Sequence, residues 1–282
     1  MLASKGELQE PKGAVGIIDL RGRAEYCTPP VDSSDALILL VGGLLAGVVN
    51  TLAGGGSLLT VPLLVLVGLP GTVANGTNRV GVLVQNGIAA WGFRAQGVPG
   101  LRGALPILGP VAIGAVAGAL VASRLPDELF ERLFGGLMIL VLVPTLWPRP
   151  SGDRAQAEST EPGSAKTGWA RSLVFLGIGL YGGAFQAGVG ILLVLALSFA
   201  GVDLVRANSI KVVVNFCFTG LALVVFLAAG LVAWPQAAAL AVGFGAGGAL
   251  GARLAVRGGE RLIRPVLAVS VLALAGRMLG LY

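Results

Sequence analysis

Two stretches of this 282-residue chain each pair a glycine-rich break with a basic, amide-bearing motif downstream. In the first, Ala53-Gly54-Gly55-Gly56-Ser57-Leu58-Leu59 precedes Ala74-Asn75-Gly76-Thr77-Asn78-Arg79. In the second, Ala187-Gly188-Val189-Gly190-Ile191-Leu192-Leu193 precedes Ala207-Asn208-Ser209-Ile210-Lys211. Each interior glycine disfavours helix by roughly 1 kcal/mol, so a helix must stop at Gly54–Gly56 and a new one start at Ser57. Gly188 and Gly190 impose the same stop before Ile191. A helix start presents unsatisfied N–H donors and a partial positive charge. Two such starts meeting would make a small-anion site built largely of backbone. Arg79 and Lys211 add full positive charge at matching places, and Asn75, Asn78, Asn208, Asn215 and Gln186 supply neutral hydrogen-bonding groups nearby, with Thr77 inside the first motif. The competing reading is structural: glycines that let helices cross closely, cations that snorkel to the interface, and amides that tie helices together.

Other chemistries lack their residues. The chain contains no histidine, which removes His-based triads, imidazole proton relays and histidine metal ligands. Cys27 and Cys217 stand far apart, so no disulfide framework is drawn from them, and Cys217 reads as a small packing residue. Apart from Glu131 near the start of 129–147, no Asp or Glu falls inside an apolar run, although cation and proton pathways ordinarily need one. Without a nucleophile–base pair an enzyme is disfavoured, and no cofactor is expected. The pI of 9.9 comes from basic residues spread over loops, a topology signal and not a nucleic-acid patch.

The elements that would position these motifs are membrane helices. Hydrophobic residues make up 55% of the chain and charged residues 12%, where a soluble domain carries about 25% charged. Apolar runs cover 36–52, 57–68, 76–97, 103–123 and 129–147, then 169–186, 191–200, 206–231, 235–255 and 261–280. A spanning helix needs about 20 apolar residues, so 57–68 and 191–200 are too short to span alone. Both follow a Gly-rich break and hold the same place in the series, which points to a transporter binding site. The expected fold is an all-α polytopic membrane protein of two inverted repeats, each a broken-helix hairpin followed by three transmembrane helices. Residues 1–35 read as a disordered tail, 36–147 as the first repeat, 148–168 as a polar linker and 169–282 as the second repeat.

Orientation follows from the basic loops. Those at 94–102, 148–171, 201–206 and 253–264 share one face if the hairpins return to their own side, and they hold most of the arginines. Positive short loops stay in the cytoplasm. The linker is therefore expected in the cytoplasm and both termini outside.

Leu45 through Pro62, with Asn50-Thr51-Leu52-Ala53-Gly54-Gly55-Gly56-Ser57 at its centre, resembles the first signature of the sulfite exporter TauE/SafE family of membrane permeases. Tyr181-Gly182-Gly183 through Gly190, then Ala207 to Asn215, resembles its second-half counterpart. Gly251-Ala252-Arg253 with Arg261-Leu262-Ile263-Arg264-Pro265 is also similar to members of that family. The resemblance covers about 36–280 and implies transport of sulfite, related sulfur oxyanions or organosulfonates across a bacterial inner membrane. Many members carry Asp where this chain has Asn50 and Gly182, and Gly where it has Gln186, which implies altered coupling. The expected partners are a small anion and the lipid bilayer. A homo-oligomer, a permease for another small organic anion and a non-transporting membrane subunit stay open as alternatives.

Overall fold

A computed structural model describes residues 16–18, 24–26, 31–146 and 168–257, without the side chains of 16–18, 24–26, 138–146 and 168. The expected span 261–280 and nearly all of the linker lie outside them. Nine described helices follow one another: α1 (Ser33–Leu52), α2 (Ser57–Leu66), α3 (Gly71–Ala95), α4 (Leu101–Ala122), α5 (Asp127–Leu146), α6 (Gly168–Phe185), α7 (Val189–Phe199), α8 (Leu204–Ala228) and α9 (Trp234–Val256). The membrane architecture is all-helical, and α1, α4, α8 and α9 are each long and apolar enough to cross a bilayer.

The expected disordered tail holds one element. Gly16–Ile18 (β1) pairs antiparallel with Ala24–Tyr26 (β2), with Ile17 opposite Glu25. Ile17-Ile18 favours strand. The first helix also begins inside the expected tail, at Ser33.

Long helices pair along glycine seams. Gly43 and Gly47 of α1 lie against Leu240, Phe244 and Gly247 of α9, and Gly243, Gly247 and Gly251 of α9 lie against Leu40, Leu44 and Val48. The numbers rise together, so α1 and α9 run parallel with backbones touching, the geometry small residues four apart permit. The same device joins α4 to α6. Gly114 and Gly118 meet the backbone of Leu176–Ala184, and Gly179 and Gly183 meet Val111 and Ala115.

Within the first half, α2 doubles back along α1. Gly56 sits against Ala46 and Asn50, and Leu63 reaches Gly42. At the centre, α3 packs on α8. Gly76 and Thr77, early in α3, touch Leu231 and Ala233 just after α8. Ser209, early in α8, touches Val98 and Gly100 just after α3. The two helices therefore run antiparallel, each start beside the loop that follows the other.

α3 begins at Gly71, five residues before its apolar run. Its first turn is capped from α5: the backbone N–H and hydroxyl of Thr72 both donate to Asp127 Oδ1, at 2.9 and 2.6 Å. A carboxylate at a helix N-terminus is favourable, and this one fixes how α5 stands on α3.

The seams can be tested by adding one methyl group. A Cβ on Gly118 would overlap Leu180 O, whereas one on Gly109 of the same helix meets nothing within 4 Å. Gly118→Ala should lower stability in detergent by about 1–3 kcal/mol. Gly109→Ala should leave stability unchanged or raise it by up to ~1 kcal/mol. Thermal unfolding of both variants measures this.

Candidate functional site

The two breaks touch. Gly54 is left-handed (φ +87°), and a Cβ placed on it would lie 2.5 Å from Gly190 Cα; only glycine allows that approach. Gly188 is also left-handed (φ +67°), as is Gln186 beside it (φ 61°). Each returning helix starts at this contact. Leu58 N–H and Leu59 N–H donate to the carbonyls of Gly55 and Gly56, both at 3.0 Å, and Ile191 N–H donates to Gly188 O at 2.9 Å. Gly56 N–H is met by Asn50 Oδ1 at 3.4 Å. The positive ends of α2 and α7 thus converge on Gly54 and Gly190.

The negative ends of the helices that precede the breaks converge on the two cations. Lys211 Nζ donates to Asn50 O (2.9 Å) and Thr51 O (2.8 Å) at the end of α1, and to Asn208 Oδ1 (2.7 Å). Arg79 does the same for α6: Nη1 donates to Gly182 O (3.4 Å) and Gln186 Oε1 (2.9 Å), and Nη2 to Gly183 O and Ala184 O. Its guanidinium also lies over the Phe226 ring, 4.5 Å from the centroid. Both side chains are 0% exposed, so neither snorkels. Each half of the chain supplies the cation that caps the broken helix of the other half.

Helices α2, α3, α4, α6, α7, α8 and α9 contain no Asp or Glu, and α1 contains only Asp35, in its first turn. The positive charge at the centre is therefore offset by helix dipoles and not by carboxylates of these elements.

The remaining expected site residues sort by their partners. Asn78 holds the first turn of α2, donating to Ser57 Oγ (3.0 Å) and accepting from Thr60 Oγ1 (2.5 Å). Asn75 Nδ2 donates to Ala184 O at 2.7 Å, beside Arg79. Asn208 accepts from Lys211, and Gln186 bridges Arg79 to Thr219 Oγ1 (3.0 Å). Asn215 is buried with no partner on either amide atom among the described residues. Thr77 is directed elsewhere: its hydroxyl accepts from Ala233 N–H at 2.9 Å, because one step along a helix turns a side chain about 100° from Asn78.

Four polar residues absent from the expected set complete the network. Asn50 Nδ2 donates to Gln85 Oε1 (2.6 Å), and Gln85 Nε2 donates to Thr51 Oγ1 (2.6 Å); Thr219 steadies Gln186. Their signal was spacing. Gln85 lies seven residues after Asn78 and Thr219 four after Asn215, so each shares a helix face with an expected residue.

Removing one cap should cost stability. Lys211→Met leaves the carbonyls of Asn50 and Thr51 without their charged donor, a loss of roughly 2–3 kcal/mol, whereas Lys211→Arg should retain most of it. Unfolding in detergent, with both variants compared to the parent, gives the difference.

Residues 39–278 match the family described as sulfite exporter TauE/SafE. A Sinorhizobium sp. protein named "Probable membrane transporter protein ORF9" is 31% identical over 243 residues, covering 86% of this chain and 91% of that one. A "Probable membrane transporter protein" of Haemophilus influenzae is 26% identical over 248 residues, with 86% and 93% covered. "Probable membrane transporter protein YfcA" of Escherichia coli K12 is 25% identical over 245 residues, with 86% and 88% covered. No solved structure matches the chain. With the family matched over nearly all of the membrane region, the chain belongs to the sulfite exporter TauE/SafE family and is a membrane transporter.

Proposed function

We propose that the protein is a secondary permease for small anions, with sulfite and related sulfur oxyanions or organosulfonates as the first substrates to test. The observation that carries this reading is the contact of Gly54 with Gly190, where the N-terminal ends of α2 and α7 meet. Capping by Lys211 and Arg79 neutralises the opposite dipole ends at the same place, which leaves the field at the breaks positive. Backbone N–H groups at the starts of α2 and α7, other than those of Gly56, Leu58, Leu59 and Ile191 that already have acceptors, hold the anion, with Ser57 beside them.

Transport proceeds by alternating access between two inverted repeats, 36–147 and 169–282, joined by the 148–168 linker. Support comes from packing related by exchange of halves: α1 on α9 against α6 on α4, and α3 antiparallel to α8. Each cation reaches across to the other half, so a rocking motion would shift both breaks together.

The hairpin formed by α1 and α2 supports placing Ser33 and the start of α3 on one side of the membrane. Six described arginines near helix ends, Arg94, Arg102, Arg171, Arg206, Arg253 and Arg257, then share the other side with the linker, against Arg124 and Arg132 on the first side. The reading places that side in the cytoplasm of an inner membrane and both termini outside.

Purified protein in liposomes should move sulfite down its gradient. Arg79→Gln and Lys211→Met should each reduce that flux tenfold or more at matched protein content. Undiminished flux in both variants would overturn the site assignment, and no flux of any small anion would overturn the permease. A reporter active only in the cytoplasm, fused after Tyr282, should be silent; an active fusion would reverse the orientation.

A further inference from the structure

Asn215 stands apart from every other polar residue around the breaks. It is 1% exposed, and both its Nδ2 and its Oδ1 lack a hydrogen-bond partner among the described residues. Burying an amide with neither group satisfied is costly, and an unsatisfied buried group calls for an explanation.

Its position supplies one. On α8 it lies four residues after Lys211 and four before Thr219, so all three share a face. Lys211 holds the end of α1, and its Cδ is 3.1 Å from where a Gly190 Cβ would be. Thr219 is tied through Gln186 to the second break. Asn215 is therefore bracketed by two side chains that each anchor a break. The matching position in the first half is Leu83, four residues after Arg79 as Asn215 is four after Lys211. The amide thus has no part in the duplicated capping scheme.

Resting on the permease reading above, we infer that Asn215 is a specificity-determining residue that selects anions bearing a hydrogen-bond donor, such as a hydroxyl group or an acid O–H. The backbone N–H groups and the positive field recognise negative charge but cannot read a proton. An asparagine can: Nδ2–H donates to an anion oxygen while Oδ1 accepts from the ligand's O–H. The Oδ1 atom of Asn215 would face a ligand lacking a donor with lone pairs against lone pairs.

The test uses two monoanions of equal charge that differ in one hydroxyl, 2-hydroxyethanesulfonate and ethanesulfonate, as competitors of labelled sulfite flux in liposomes. With the parent protein the hydroxylated anion should compete roughly fivefold better, the worth of one neutral hydrogen bond. Asn215→Leu should reduce that preference to about twofold or less while sulfite still moves, and Asn215→Gln, which keeps both a donor and an acceptor, should restore much of it. Equal competition in the parent, or a preference unchanged in Asn215→Leu, would overturn the inference and leave the permease standing. Absence of sulfite flux in the parent would fail the permease reading itself. If Asn215→Leu does not fold, the parent's preference alone decides.

Discussion

A helix that ends inside a bilayer leaves its last carbonyls without partners, and hydrocarbon cannot satisfy them. This fold buries two helix ends, those of α1 and α6, away from water and meets the same constraint with the only two buried cations among its described residues. Lys211 takes the carbonyls of Asn50 and Thr51, and Arg79 those of Gly182, Gly183 and Ala184. The rest follows from that exchange. Both cations come from the antiparallel central pair α3 and α8, so this pair must stand between the two broken helices. The broken helices must in turn be held against α9 and α4, which the glycine seams accomplish by bringing backbones into contact.

The exchange also accounts for the electrostatics. A break in a helix normally presents opposite half-charges, positive at the start of the next segment and negative at the end of the last. Here the negative ends are occupied by full positive charges while the starts of α2 and α7 converge on the Gly54–Gly190 contact. Arginine suits the α6 end because three carbonyls and the Gln186 amide oxygen lie in reach of one planar fork. Lysine suits the α1 end, where two carbonyls and Asn208 surround a point charge.

Much of this was legible in the sequence. Glycine clusters inside apolar runs marked both breaks, and the short runs after them marked α2 and α7. Basic residues at matching distances marked Arg79 and Lys211 as central. Sequence alone could not show that their hydrogen bonds go to carbonyls, because backbone acceptors leave no residue-type signature. Gln85, Thr219 and the Asp127 cap were missed for a related reason: each acts across helices whose neighbours are set by tertiary packing. Hydropathy also shortened α3, because its first turn is held by a carboxylate on α5 and not by apolar burial. Thr77 shows the limit of motif reading, since a position inside the right hexapeptide still faces the wrong way round the helix.

In the proposed permease both breaks bind one anion together through the starts of α2 and α7. Hydrogen exchange of the backbone amides in lipid nanodiscs, with and without sulfite, tests it most directly. Slowing in the segments 54–59 and 188–192 together, at the same sulfite concentration, is the expected result. Slowing at only one break, or at neither while other segments respond, would contradict a shared site.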